Sequence, residues 1–477
     1  MFAFAGNAFL AYARKAFTGL QSHRSNLRNA ERLSKRYHTQ PGNDVKKLTT
    51  TILIETFFMT IKTLSTLALI SISLIPNVYA FDLGHDVTLK GFGTIGIVNN
   101  STTGADFVAN NYSQPKGAAR TESLSINPDS RLGLQIDWQA TQQLSFTGQA
   151  VSKQGPDNSW VPDLQLAFAK FKILSDLDIR GGRIRPPFFM LSDYLDMYYA
   201  NPWVRPPTEF YTMVPMASHM EGVDFIYRPQ TGPVSWLIQP YYGNMQISQT
   251  QDRSNDVHDL VGINVSGNLD DFTLRANYSY MTLTNHNASF DNSAKPLLAG
   301  LCLQSAAACT EETNYAFINK SLTIIAFGAN WDNGNYFISG EIGKRISENN
   351  VFDTTAGYIS GGTHFGKFTP YITYSSSVNN SSTSFGGGTG RAAALINKVV
   401  TTMMTNGNYM DQDTKTLGIR YDFYKNLDLK VQWDRIDTST KNGQANTGYG
   451  LFINPTTSFA NGNNSIDLFS TSVDFVF

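Results

Sequence analysis

The chain has 477 residues, of which 41% are hydrophobic, 12% aromatic and 16% charged, and its formal net charge is −1. Without the first 80 residues, whose exclusion is argued next, 27 Lys and Arg face 35 Asp and Glu, a net charge near −8. This acidic excess argues against a nucleic-acid partner, because such proteins carry a basic face. From residue 81 onward, no apolar run approaches the ~20 residues of a membrane helix.

The first 80 residues form two segments that we do not expect in the folded domain. Residues 59–80 have the pattern of a secretory signal peptide, with Lys62, an apolar core of about a dozen residues, and Val78 and Ala80 before the expected cut. A buried hydrophobic helix is the alternative. Residues 1–58 are basic and poor in acid, like a transit peptide, yet an export signal normally begins a chain. We therefore expect translation from Met59 and a mature protein of residues 81–477.

Residues 81–477 alternate apolar and polar residues with a period of two, which predicts β-strands. The clearest case is Arg131–Gln139, where Leu132, Leu134, Ile136 and Trp138 share one face. The predicted strands are Val87–Val98, Arg131–Gln139, Leu144–Lys153, Leu164–Ile173, Leu177–Arg185, Val223–Arg228, Val234–Gly243, Asp259–Gly267, Phe272–Met281, Thr323–Trp331, Tyr336–Arg345, Gly357–Phe365, Phe368–Ser376, Thr416–Phe423, Leu427–Asp434 and Ile466–Phe477.

The connections between these strands alternate in length. About seven short polar turns alternate with longer loops, as in a transmembrane β-barrel. A β-sandwich, the soluble alternative, would have short loops throughout. The sequence therefore predicts an all-β, antiparallel transmembrane barrel of about sixteen strands. The longer loops are Asn100–Asp129, Pro186–Met220, Thr284–Asn314, Val378–Asp413 and Thr438–Asn464.

The loop Pro186–Met220 is rich in proline and aromatic residues and has neither a helix period nor a strand period. Loops of this length are usually functional or disordered. Disordered segments are poor in aromatic residues. We therefore expect this loop to be packed inside the barrel.

The last predicted strand is amphipathic, with Val473, Phe475 and Phe477 on one face. Together with the export signal and the loop asymmetry, it resembles the outer-membrane porins of Gram-negative bacteria, in particular the sixteen-stranded trimeric diffusion porins. That resemblance implies periplasmic short turns and a third long loop that follows the fifth strand and narrows the lumen. Here the fifth predicted strand, Leu177–Arg185, leads into Pro186–Met220. The sequence departs from the enteric porins because it lacks their P-E-F-G-G tract and has a longer loop.

The charges of this region predict a pore constriction. A channel selects solutes by its diameter and by the charges at its narrowest section. Our hypothesis is that basic groups on the wall face carboxylates of the loop across that section; the alternative is that the charges tie the loop to the wall. The candidate residues are Arg180, Arg183, Arg185, Asp193, Asp196, Arg205 and Glu209. Strict alternation puts Arg180 on the opposite face from Arg183 and Arg185, unless a β-bulge lies at Gly181 and Gly182.

The chain has two cysteines, Cys302 and Cys309, and we expect them to pair after export, which stabilises by about 2–3 kcal/mol in the chain-entropy model. No metal site is expected there, because neither histidine nor a third cysteine lies beside them. The scattered histidines have no convincing nucleophile partner. We expect neither enzymatic activity nor a cofactor.

The sequence thus predicts a homotrimeric outer-membrane porin for passive diffusion of small hydrophilic solutes and ions, in contact with outer-membrane lipid and lipopolysaccharide. One alternative is a substrate-selective channel, in which Tyr198, Tyr199, Trp203 and Phe210 stack on sugars or aromatic acids. Another alternative is a plugged barrel that serves as an adhesin or structural protein.

Overall fold

The computed structural model describes residues 80–214, 218–250, 253–287, 291–292, 295–303, 305–348, 353–380, 391, 394–395, 411–438, 450–460 and 462–477. These residues belong to one compact unit, Asn77–Phe477. The predicted extension 1–58 and, apart from residue 80, the predicted signal peptide 59–80 lie outside the described residues.

Sixteen long antiparallel strands run through the part of the chain that the structure describes, in agreement with the sixteen predicted ones. They are β1 Val87–Asn100, β2 Arg131–Gln139, β3 Leu144–Lys153, β4 Asp163–Lys172, β5 Leu177–Ile184, β6 Met220–Tyr227, β7 Val234–Gln249, β8 Arg253–Leu269, β9 Phe272–Asn287, β10 Lys320–Asp332, β11 Tyr336–Ser347, β12 Thr354–Thr363, β13 Phe368–Asn379, β14 Gln412–Tyr424, β15 Leu427–Thr438 and β16 Asn464–Val476.

The strands close into a barrel. Each pairs with its neighbour in the chain, and β16 pairs with β1, from Leu468 opposite Asn100 to Val476 opposite Phe92. Closure leaves none of these sixteen described strands at an edge, where its backbone groups would be unpaired. Three short strand segments accompany the ring: Phe81–Gly84, Leu124–Ser125 and Gln230–Thr231.

The outer and inner faces of the barrel differ in polarity, as the alternation predicts. On β2 the outward Leu132, Leu134, Ile136 and Trp138 are 44–49% exposed. The inward face carries polar side chains such as Asp137, which accepts hydrogen bonds from its neighbours. An apolar outer face and a polar inner face are typical of a barrel that spans a bilayer around water.

The seam between the first and last strands is packed by aromatic rings over glycines. A Cβ placed on Gly93 of β1 would overlap the ring of Phe475 on β16, and one on Gly91 would overlap Phe477. Glycine therefore makes room for the C-terminal aromatic residues where the ring closes.

The barrel has short turns at one end and long connections at the other. The predicted lengths of β7, β8 and β9 were too short: β7 continues from Gly243 to Gln249, and β8 begins at Arg253 rather than Asp259. The apolar alternation fades in these polar extensions, although backbone pairing continues. The predicted loop Thr284–Asn314 contains helices, α2 Lys295–Cys302 and α3 Ala306–Ala316. Among the described residues, no helix is long and apolar enough to cross a membrane.

Candidate functional site

The connection between β5 and β6, described here as residues 185–214 and 218–219, lies inside the barrel, and we call it the lumen loop. It contains two 3-10 turns, Ser192–Tyr194 and Tyr198–Ala200, and one helical turn, α1 Thr208–Tyr211. Pro207 stands directly before α1, a position where its fixed φ and its missing N–H are tolerated. The loop therefore relies on its contacts with the barrel wall rather than on long regular structure.

The first anchor of the lumen loop is the carboxylate of Asp196. It lies 3.0 Å from Arg131, 2.7 Å from Lys153 and 2.9 Å from Arg185. Only 4% of Asp196 is exposed. Burial alone would raise the pKa of this carboxyl, but Lys153, Arg185 and Arg131 together hold it well below its usual range. The ionised carboxylate thus ties the loop to β2 and β3, and also binds the first residue of the loop, Arg185.

Arg131 also holds the neighbouring turn of the loop. Its guanidinium lies 3.7 Å from the ring centroid of Tyr198 and donates to the hydroxyl at 2.6 Å. Burial raises the pKa of Tyr198 to about 12, so the phenol stays neutral at physiological pH. The cation therefore binds both an acid and an aromatic face of the same loop segment.

The second anchor is Arg205, whose guanidinium is bound by groups on β15 and β16 and just before β2. It donates to both carboxylate oxygens of Asp129, at 2.7 and 2.6 Å, and it lies 3.3 Å from Asp434. Ser470 of β16 accepts a further hydrogen bond at 2.6 Å. Burial alone would lower the pKa of Arg205, but these carboxylates raise it, so the charge persists. The planar guanidinium thus donates two hydrogen bonds to the two oxygens of one carboxylate, which is a strong and specific geometry.

The third anchor is Glu209, which is 1% exposed. It accepts hydrogen bonds from Ser375 and Gln412, both at 2.6 Å, and from Thr414. The donors are neutral, so this acid is bound by hydrogen bonds rather than by an ion pair. A cavity of about 20 Å³ lies between Glu209, Arg205 and the wall, which is room for about one water molecule.

Wall cations also bind backbone carbonyls of the loop. Arg275 donates to Pro187, Arg420 to Tyr199 and Lys430 to Tyr198, at 2.8, 2.6 and 2.7 Å respectively. These contacts come from β9, β14 and β15. The loop is therefore fixed on several sides of the lumen.

The aromatic residues that were predicted to stack on a ligand are mostly buried in the loop itself. Trp203, Tyr198 and Phe210 are 3%, 5% and 0% exposed. The indole N–H of Trp203 lies 3.1 Å from the hydroxyl of Ser360 and 3.0 Å from that of Thr373. These three side chains do not support the alternative of a ligand grip, because they pack the loop against the wall. Tyr199 is half-buried, and its ring lies 4.8 Å from Arg420.

The three arginines in and just after β5 have different partners and do not share one face. Arg180 points inward and donates to Asp224 at 2.9 Å, whereas Arg185 is in the Asp196 cluster. Arg183 lies on the outer face, 2.6 Å from Glu221. No β-bulge lies at Gly181 and Gly182, because β4 and β5 pair through this region without a register shift. Arg183 therefore keeps the outward face that alternation gives it, and its assignment to the pore is corrected.

The remaining predicted residues lie apart from these anchors. Asp193 is exposed on the first 3-10 turn of the loop. Cys302 and Cys309 are joined as a disulfide between α2 and α3, and their Cα atoms are 4.7 Å apart. The predicted charges thus tie the loop to the wall at Asp196, Arg205 and Glu209, in direct contact rather than across an opening.

Sequence reasoning missed the partners of these anchors. Arg131, Lys153 and Asp129 belong to connections and strands far from the loop in the chain, with Asp129 separated from Arg205 by 76 residues. Two signals in the sequence could have found them. Arg131 and Lys153 lie at inward positions of their strands, and each partner has a charge opposite to that of the loop residue it binds.

The sequence matches no family model and no curated protein. Solved structures, in contrast, share this architecture. OmpF of Salmonella typhi, solved in a complex with daunomycin, is 15% identical with a TM-score of 0.50, over 84% of this chain and 100% of that one. An anion-selective porin from Comamonas acidovorans is 12% identical with a TM-score of 0.50, over 82% of this chain and 99% of the other. These similarities concern the fold, which is the sixteen-stranded antiparallel barrel of Gram-negative outer-membrane porins.

Proposed function

We propose that residues 81–477 form a water-filled channel for passive diffusion of small hydrophilic solutes and ions across the outer membrane. The chain would be exported with cleavage after Ala80 and would assemble as a homotrimer among lipid and lipopolysaccharide. In this proposal the barrel catalyses no reaction and uses neither a cofactor nor a metal.

The observation that carries this proposal is the exposure of charged side chains on the inner face, between the short turns and the lumen loop. The side chains of Lys90, Arg228 and Asp422 are 51%, 46% and 39% exposed. Charges without water would be costly, so this half of the lumen is hydrated. Sixteen strands leave an aqueous interior, unlike the filled interior of eight-stranded barrels.

The lumen loop narrows this interior and favours small solutes. Its anchors lie on β2, β3 and β13 to β16, so little of its length is free to move. A loop held in this way sets a fixed diameter, which is the first determinant of selection in a channel.

The test is swelling of liposomes that contain the folded barrel, with neutral sugars of increasing size. Uptake that falls smoothly with solute size supports passive diffusion. Saturable uptake of one sugar class supports a substrate-selective channel instead.

The contacts of the lumen loop with several strands favour a second candidate function, which is a plugged barrel with a structural or adhesive role. Contacts of the loop with opposite walls would close the lumen if no path passed beside it. This candidate predicts no swelling with any solute, from a barrel shown by its heat-dependent gel mobility to be folded.

A further inference from the structure

The inner face of β4, β5 and the end of β6 carries an excess of cations between the short turns and the lumen loop. The strand register places Lys170 opposite Arg180, and Lys172 opposite Asp178. Arg228 follows β6 at the same end of the barrel. Lys172 is exposed, and Lys170 is half-buried.

Asp178 and Asp224, which lie on β5 and β6 near these lysines, are already bound by other groups. Asp224 accepts from Arg180 at 2.9 Å and from Gln239 at 2.7 Å. Asp178 accepts from Arg228 at 2.8 Å. Within the described residues, neither Lys170 nor Lys172 has a carboxylate within the 4.0 Å of an ion pair.

Two other inward lysines of the barrel do have such partners. Lys90 lies 3.0 Å from Asp137, and Lys430 lies 2.8 Å from Asp474. Like charges directly opposite each other on neighbouring strands are destabilising. The position of Lys170 opposite Arg180 therefore does not stabilise the barrel. The two lysines are thus charged groups held toward the lumen without an internal partner.

We infer that Lys170 and Lys172 form an anion-binding lane on the inner wall of the barrel, and that its ligands are small organic carboxylates. Lys170 and Lys172 are two residues apart on one strand face, about 7 Å. That spacing suits a solute with more than one carboxylate. The inference rests on the proposed channel as the route by which such solutes arrive.

The experiment measures citrate binding to the folded barrel in detergent by titration calorimetry. The test variant is Lys170→Gln with Lys172→Gln, and the matched control is Lys344→Gln, which removes an exposed, outward-facing lysine of β11. We expect saturable binding to the wild type and to the control, and about tenfold weaker binding to the double variant, because each charge contributes modestly in water.

Equal citrate affinity in the double variant and the wild type would overturn the inference, as would the absence of saturable binding to the wild type. If the double variant does not fold, Lys172→Gln alone changes only an exposed side chain, and it should weaken binding about threefold. This measurement is independent of conductance. A barrel that binds citrate but passes no current would contradict the proposed channel and would still support the anion-binding lane.

Discussion

Replacing Asp196 with Asn should release the first anchor of the lumen loop. The substitution keeps the side-chain volume and removes the charge that binds Arg131, Lys153 and Arg185. The side chains of Arg131 and Arg185 are only 7% and 5% exposed, so their charges would remain buried without a partner. Lys153 is 35% exposed and regains water, so its share of the cost is small.

Removing one partner of a buried ion pair costs about 3–5 kcal/mol. The lower figure, about 3 kcal/mol, corresponds to a roughly hundredfold larger population of the open loop. Hydrogen exchange measures this directly, since amides of the loop such as Tyr194 and Met197 are bonded within its own turns. We expect exchange in this segment to accelerate about a hundredfold in Asp196→Asn.

The matched control is Asp193→Asn, which removes an exposed acid three residues earlier in the same loop. Exchange in this control should equal that of the wild type. If Asp196→Asn also exchanges at the wild-type rate, Asp196 does not anchor the loop and the reasoning is refuted.

The pH dependence of the same exchange has a defined sign. The pKa of Asp196 is lower in the folded state than the ordinary value of about 3.9, so its stabilisation is complete above that value and is lost only as pH falls below it. Protection of the loop in the wild type should therefore be equal at about pH 7 and about pH 5. Loss of protection between these values would contradict the assignment.

Three further predictions concern other parts of the barrel. Arg183→Ser should leave the reversal potential in a salt gradient unchanged, because Arg183 is on the outer face; a shift toward cations would contradict this placement. Gly93→Val should lower the heat-modification temperature of the barrel by displacing Phe475 from the seam, whereas Gly148→Val, where a Cβ meets open space, should not. Trp203→Phe removes a buried donor and should cost about 1 kcal/mol in urea unfolding; a wild-type midpoint would show that the bond is not formed.

Much of the fold was predictable because the alternation is local. On β2, the pattern from Arg131 to Gln139 assigns each side chain to a face without knowledge of any partner strand. Alternation by itself divides Arg180 from Arg183 and Arg185, and the hypothesis of a bulge at Gly181 and Gly182 was introduced to bring them to one face. No register shift occurs there, so Arg183 is outward. Arg185 lies inside although it has the parity of Arg183, because the strand ends at Ile184 and alternation no longer applies.

The site was less predictable because its contacts join distant parts of the chain. The lumen position of the loop followed from its composition and its place after β5, but nothing local shows that Asp196 meets Arg131 or that Arg205 meets Asp129. Burial of Trp203 was hidden for the same reason, since an aromatic residue suits a ligand and a packed loop equally well.

If residues 81–477 form a channel, water and ions pass beside the lumen loop. The most direct test is the single-channel conductance of purified, refolded residues 81–477 in a planar bilayer under a salt gradient. The proposed channel predicts stepwise current increases, grouped in threes for a trimer, with a measurable reversal potential. Silence from a barrel whose gel mobility shows it to be folded would contradict the claim and would mean that the loop closes the lumen.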